Sequence, residues 1–380
     1  MGADRVPSPV EIAYQDPRTR TYLGSPSIMR APDGALVVTH DYFGPGCPRN
    51  HEAEEHLTTV HRSEDDGRTW RYVTHIAGAF WSSLIVHRGA LYLLGCSQQY
   101  GGICIRRSDD GGYTWTHPRD GGSGLLFCGG EGHQPPNYHC APVPVLEHEG
   151  RLYRAFEDCT PCQWGTGFQA SVVSADADAD LLVAANWRMS NKLAFDPASL
   201  PAAWGMLDRP GWLEGNVVLD RDGRLVDLLR FNSAPRVDVA AMVRVEDEGR
   251  RLEFDPGEGF ITFPGGMTKF TVRYDAVTDR YVTLSNPNSE PGWPAQRNRL
   301  ALCVSRDLRE WQVVRYLLED DSGLQGEDSL RLTGFQYVDW LFEGDDILAA
   351  VRVAYRGAHN YHDSNRIWFL RVPAWRATIA

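Results

Sequence analysis

Short apolar runs, most of them broken by a glycine-containing dipeptide, recur along the whole chain. Ile28 to Tyr42 turns around Asp33-Gly34, Leu84 to Leu94 around Arg88-Gly89, Val143 to Phe156 around Glu149-Gly150, and Val217 to Phe231 around Asp222-Gly223. Phe270 to Leu284, and Phe335 to Val353 around Glu343-Gly344, continue the series. The runs are strand-length and rich in Val, Ile, Leu, Tyr and Phe, and the glycine supplies the positive φ of a tight hairpin. No amphipathic helix longer than two turns is predicted, so the fold class is all-β. Hairpins start near Pro26, Trp81, His139, Trp212, Lys269 and Phe335. Their spacing of about 55 to 75 residues matches a four-stranded blade with its loops. The last unit has three obvious strands before Ala380, and Val10 to Tyr14 would supply the fourth, closing a ring without a free edge. The expectation is a single β-propeller domain over residues 1–380 with six blades. A seventh blade, from the irregular stretches near 118–138, stays open.

One short motif sharpens this. Ser63-Glu64-Asp65-Asp66-Gly67-Arg68-Thr69-Trp70 is echoed about 45 residues later by Ser108-Asp109-Asp110-Gly111-Gly112-Tyr113-Thr114-Trp115, the signature of stacked repeats. Ser and Asp bond their own backbone, Gly turns the chain, and Trp packs the corner. A worn copy is Ser305-Arg306-Asp307-Leu308-Arg309-Glu310-Trp311, and Ser174-Ala175-Asp176 is weaker still.

The octet resembles the Asp-box of the sialidase superfamily of β-propellers, which implies a sialidase-like propeller. Sialidases clamp the substrate carboxylate with three Arg and carry an Arg-Ile-Pro signature on the first blade. Here the comparable stretch is Tyr22-Leu23-Gly24-Ser25-Pro26-Ser27-Ile28, without that Arg. Other segments look like the branch that contains rhamnose–glucuronate lyases and propeller α-L-rhamnosidases. They are Gly24-Ser25-Pro26-Ser27, Thr39-His40-Asp41-Tyr42-Phe43-Gly44-Pro45 and Trp212-Leu213-Glu214-Gly215-Asn216. Gly265-Gly266-Met267-Thr268-Lys269-Phe270, Gln296-Arg297-Asn298, Phe335-Gln336-Tyr337-Val338-Asp339-Trp340 and Asn360-Tyr361-His362-Asp363-Ser364-Asn365 extend the match. The resemblance implies an enzyme, polysaccharide lyase or glycoside hydrolase, that cleaves a rhamnosyl-α-1,4-glucuronate bond by β-elimination or hydrolysis. An exo-sialidase-type hydrolase and a non-catalytic glycan-binding propeller are the alternatives.

Composition narrows the partners. A formal charge of −12 argues against nucleic acid and anionic membrane surfaces. No apolar run approaches the roughly 20 residues that span a bilayer. Met1 to Arg20 contains no hydrophobic signal segment, so a cytoplasmic location is expected. The 12 Trp, 15 Tyr and 14 Phe suit both sheet packing and sugar stacking. Among eight Cys, Cys159-Thr160-Pro161-Cys162 has redox or metal spacing but no second such pair, and free thiols are expected.

In a propeller the inner strands line a central funnel. The first strand pairs contribute His40-Asp41-Tyr42, Trp81, Arg106-Arg107, His139, Arg154, Glu157, Glu214, Asn216, Lys269, Gln336, Asp339, Arg352, His359 and His362. Such groups are costly to bury unless they pair or bind something, and the mixture of His, Arg and Lys suits an acidic oligosaccharide. His40 ends an apolar strand and opens a Gly-Pro loop. The resemblance puts the branch's catalytic histidine there, while a structural cap with Asp41 is the rival. His139 and Glu214 are the other catalytic candidates, and Glu157, Glu214 and Asp339 are the carboxylates that hydrolysis would need. Arg107, Arg154 and Lys269 are the expected carboxylate clamp. Tyr42 and Trp81 would stack on a sugar, and Gln336, Asp339 and His362 would complete the substrate contacts. No cofactor is required by the sequence. A structural calcium on Asp176, Asp178 and Asp180, or a metal in the funnel, stays open.

Overall fold

The computed structural model describes residues 7–48, 56–130 and 134–379. In it the hairpins assemble into six sheets. Blade 1 runs Ser27–Arg30 (extended by Tyr22–Leu23), Leu36–Phe43, Leu57–Ser63 and Arg71–Ala77. Blade 2 runs Phe80–His87, Ala90–Cys96, Ile103–Ser108 and Leu125–Phe127. Blade 3 has a split inner strand, Tyr138–His139 and Leu146–His148, then Arg151–Cys159, Phe168–Asp176 and a split outer strand, Trp187–Met189 and Leu193–Ala194. Blade 4 is Gly211–Leu219, Leu225–Asn232 and Val239–Glu246, with Arg251–Glu253 and Phe260–Thr262 outside. Blade 5 is Val272–Asp275, Arg280–Ser285, Arg299–Ser305 and Trp311–Glu319. Blade 6 is Gly334–Glu343, Asp346–Ala354 and Arg366–Val372. Its outer strand is Val10–Tyr14, with Val10 opposite Phe369 and Tyr14 opposite Arg366. The N-terminal strand therefore closes the ring. The 118–138 region forms the outer strand of blade 2 and the start of blade 3. Among the described residues there is no seventh sheet, although 131–133 lie outside them.

Each seam between blades has its own apolar cluster, because a blade is covered on both faces and successive side chains serve opposite neighbours. In the second strand of blade 1, Leu36 and Val38 pack with Leu348 and Ala350 of blade 6, whereas Val37 packs with Leu84 and Leu93 of blade 2. The other four seams repeat the scheme, with Trp212, Trp340 and Trp375 among the largest fully buried side chains. Burying one such side chain contributes roughly 2–3 kcal/mol.

The repeated octets join third strands to fourth strands. Ser63 Oγ accepts from the Gly67 N–H (2.8 Å), Asp65 accepts from Thr69 N–H and Oγ, and the Trp70 indole donates to Gly67 O. Ser108, Asp110, Thr114 and Trp115 repeat every one of these bonds. In the worn copy Leu308 stands where Gly67 and Gly112 do and keeps their left-handed turn, at φ 65°, with the Trp311 indole on its carbonyl.

Candidate active site

Three inner strands are broken in the same way. The ladders of blades 2, 4 and 6 slip between Phe80 and Ser83, between Leu213 and Asn216, and between Gln336 and Asp339. Inside each bulge one bulky residue takes a left-handed backbone: Trp81 (φ 49°), Glu214 (φ 59°) and Tyr337 (φ 50°). A bulge re-aims side chains, and such a conformation costs about 1–3 kcal/mol for a non-glycine residue. All three point into one cleft of about 380 Å³, shared with Phe43, Tyr100, His139, Trp164, Arg352 and His362. A second hollow, about 530 Å³, opens between blades 3 to 6. It is lined by Val217, Leu219, Val272 and Phe342, together with Asp220, Arg221 and Arg273.

The Tyr337 hydroxyl donates to Glu214 Oε1 at 3.0 Å, and Arg230 Nη1 donates to Glu214 Oε2 at 2.9 Å. All three residues are buried. Burial alone would raise the Glu214 carboxyl, but Arg230 and His139 hold it below its ordinary value. Arg297 and Arg352 flank the same tyrosine, their guanidinium carbons 5.5 and 4.7 Å from its ring centre. Gln336 accepts from Arg297, while Arg352 donates to His362 O (2.6 Å) and Ser364 Oγ. Among the described residues neither has a carboxylate within ion-pair distance, and burial lowers both, Arg352 to about 10. Three buried guanidinium groups thus face one carboxylate. An unpaired buried charge costs several kcal/mol, so this arrangement carries a standing electrostatic cost.

On the facing wall His139 Nδ1 lies 2.8 Å from Glu157 Oε2, and Glu157 Oε1 accepts from the Gly215 N–H. Burial disfavours the imidazolium, but Glu157 outweighs it and His139 is raised. Trp81, Tyr100 and Phe168 enclose the imidazole, with Trp81 at 4.4 Å. Asp41 sits beneath Gly24 and accepts from the Trp81 N–H (3.0 Å). Thr58 Oγ lies 2.8 Å from both Asp41 Oδ1 and Ala79 O. One hydroxyl proton cannot serve both acceptors. A proton on Asp41 completes the pattern, in keeping with burial, which pushes that carboxyl up to about 7.

The cleft gathers five of the funnel residues expected from the sequence, Trp81, His139, Glu214, Arg352 and His362, with Gln336 directly behind. Others are placed elsewhere. His40 is fully buried on the face of blade 1 that packs toward blade 6, stacked on His61 at 5.3 Å, with Tyr42 edge-on at 5.1 Å. Strand alternation turns Asp41, one residue on, toward blade 2. The expected clamp is not assembled. Arg107 is on the third strand of blade 2, ion-paired with Asp109 of the octet. Arg154 Nη2 bonds Ser83 Oγ and Ala141 O, and Lys269 Nζ bonds Thr271 Oγ and Val338 O. Both staple neighbouring blades, and burial lowers Lys269 to about 8. Asp339 likewise ties blade 6 to blade 1 through Ser27 Oγ and the Ile28 N–H. Asp176, Asp178 and Asp180 turn to Arg151, Arg88 and the Leu182 N–H. Tyr337, Arg230 and Arg297 were not among the expected site residues, and Arg352 was expected only as a funnel residue, although counting register across the hairpins brings Arg230 to Glu214 and Arg352 to Gln336.

No family model matches the chain, and no curated protein matches it in sequence. Solved structures do share its fold. The microbial sialidase Hz136 from a Hadza source is similar at TM-score 0.61 and 13% identity, over 97% of this chain and 69% of the other. The α-L-arabinofuranosidase Arb93A of Fusarium graminearum, solved with an iminosugar inhibitor, gives 0.61 and 12% over 97% and 98%. Trypanosoma rangeli sialidase in complex with sialic acid gives 0.60 and 15% over 100% of this chain and 59% of that one. The fold is that of a sialidase-like six-bladed propeller.

Proposed function

We propose that the protein is an exo-acting glycosidase that removes a terminal carboxylated sugar by double displacement on Tyr337. One observation carries this reading: a tyrosine hydroxyl bonded to a buried carboxylate, within a cage of three arginines of which two lack a carboxylate partner among the described residues. The substrate carboxylate would sit on Arg297 and Arg352. An anionic nucleophile would be repelled by a carboxylate at the reacting carbon, whereas a neutral tyrosine develops charge only as Glu214 takes its proton. His139, its imidazolium favoured by Glu157, would give a proton to the leaving oxygen, then take one from the water that releases the sugar. Asp41 is the other acid at this end, but its oxygens are engaged with Thr58 and Trp81. The first-blade arginine expected of a sialidase is absent, and Arg352 of blade 6 supplies the third guanidinium. The sugar-binding neighbours and the aromatic walls support a glycan substrate.

A second reading rests on the His139–Glu157 pair. With glucuronate on the same arginines, His139 as base and Tyr337 as acid would eliminate rhamnose from a rhamnosyl-glucuronate end. Incubation with a fluorogenic sialoside and with gum arabic oligosaccharides separates the two. Released fluorophore, lost in Tyr337→Phe, supports hydrolysis. Free rhamnose with a UV-absorbing unsaturated uronate supports elimination. A mass-unchanged glycan panel would overturn both and leave a binding propeller.

A further inference from the structure

The Cys159-Thr160-Pro161-Cys162 segment has no part in this chemistry, yet it borders the cleft. Cys159 ends the second strand of blade 3, buried against Phe168, Leu213 and Tyr100. Tyr100 and Leu213 are cleft walls, and Leu213 immediately precedes Glu214. Cys162 is exposed, three residues on. Between them begins a loop whose neck is pinched by the Thr160 N–H to Gly167 O bond (2.8 Å) and the Gly167 N–H to Gln163 O bond (2.7 Å). The loop carries Trp164 into the cleft, where the Arg230 guanidinium carbon lies 5.7 Å from its ring centre.

We infer that Cys159 and Cys162 form a reversible disulfide that resets the loop holding Trp164 over Arg230, so that the cleft responds to low-molecular-weight disulfides. The inference deepens the reading of the cleft as the substrate site and rests on it. The exposed Cys162 thiolate attacks a small disulfide such as oxidised glutathione and expels one thiolate. Cys159, losing its proton, then attacks the Cys162 sulfur of the mixed disulfide and expels the second thiolate. Two electrons and two protons pass to the small disulfide, which leaves as two thiols, and excess thiol reverses the exchange. Burial keeps Cys159 a thiol until the mixed disulfide forms beside it.

The full chain is treated with oxidised glutathione, quenched with a thiol-blocking reagent and weighed intact. The expected product is lighter by two hydrogens, with the link mapped to Cys159 and Cys162, and dithiothreitol restores the starting mass. Cys162→Ser is expected not to react at this pair, and Cys159→Ser to stop at a glutathione adduct on Cys162. Oxidation is further expected to change tryptophan emission in the wild type, and Trp164→Phe to lose that change. A link elsewhere, for example through exposed Cys128, or an emission change that survives in Trp164→Phe, would overturn the inference. Neither readout uses a sugar, so failure of the glycosidase reading leaves these results interpretable.

Discussion

Two buried polar regions lie within one blade of each other and have opposite characters. On the blade 6 side of blade 1, His40, His61 and His75 stand among Tyr42 and Tyr72, with no carboxylate paired to them among the described residues. Among those residues His40 Nε2 and His61 Nε2 are buried without a hydrogen-bond partner, and burial drives the two imidazoles down to about 3 and 4. At the cleft mouth, His139 has Glu157 and is raised instead. Residue type is the same and burial nearly so. Only the partner differs, and it decides whether burial yields a neutral packing group or a poised acid. The seam minimises charge. The mouth concentrates it, with three guanidinium groups around one carboxylate.

The sharpest way to break this comparison is to delete each histidine. On whichever acidic glycan is turned over, His139→Ala is expected to lower kcat about 10²–10⁴-fold while the melting temperature stays close to wild type. His40→Ala is expected to do the reverse, sparing kcat and costing about 2–3 kcal/mol in a denaturant melt. Loss of activity in His40→Ala without loss of stability would restore His40 as the catalytic residue and dissolve the contrast.

Arg352 tests the charged side next. Its guanidinium is buried without an ion-paired carboxylate among the described residues, so removing it should relieve a desolvation cost. Arg352→Met is expected to raise KM for a carboxylated substrate about 10–100-fold, and to keep or increase stability, read in one thermal melt. A destabilised variant with unchanged KM would mean that the charge is already compensated and that the mouth resembles the seam.

How far the sequence foretold these regions depends on which regularity each obeys. The hairpins, the blade count and the N-terminal closure follow from two-residue alternation and glycine turns, and these the chain displays openly. Hairpin register carries more than was taken from it. His139 pairs with Glu157, Leu213 with Arg230, and Gln336 with Arg352, all across first hairpins. Counting outward from Asp222-Gly223 brings Arg230 to Glu214, and counting from Glu343-Gly344 brings Arg352 beside Tyr337. The bulges were hidden, because nothing in Phe80-Trp81-Ser82 or Gln336-Tyr337-Val338 marks a left-handed residue. Without them, alternation assigns Tyr337 to a seam. His40 misleads for the opposite cause: its strand is regular, and regularity turns it toward blade 6, away from the blade 2 side that Asp41 faces.

The seam has a pH signature of its own. Above about 6.5 its histidines are neutral whether folded or not. Below that, the unfolded chain gains protons that the fold refuses down to about 4 for His61 and about 3 for His40. Stability is therefore lost as pH falls, by about 1.4 kcal/mol per unit for each group while the fold stays unprotonated. Chemical denaturation at pH 7 and pH 5 should show the loss, and His61→Phe should reduce it by about one such increment. An unchanged slope in that variant would place the acid sensitivity elsewhere.

The smallest expected effect concerns the partner alone. Glu157→Gln keeps the hydrogen-bonding shape beside His139 but removes the charge that raises it. The imidazolium then releases its proton at lower pH, so the alkaline limb of kcat/KM should move down by about one unit, or about 1.4 kcal/mol. The acid limb, which reports ionisation of Glu214 beside Arg230, should stay within a few tenths of a unit. If both limbs moved together, Glu157 would be acting through the Gly215 N–H and the Glu214 bulge, and the mouth would be tuned by backbone position as much as by charge. If neither moved, His139 would owe its proton to other groups, and the difference between the two histidines would need a cause other than the carboxylate.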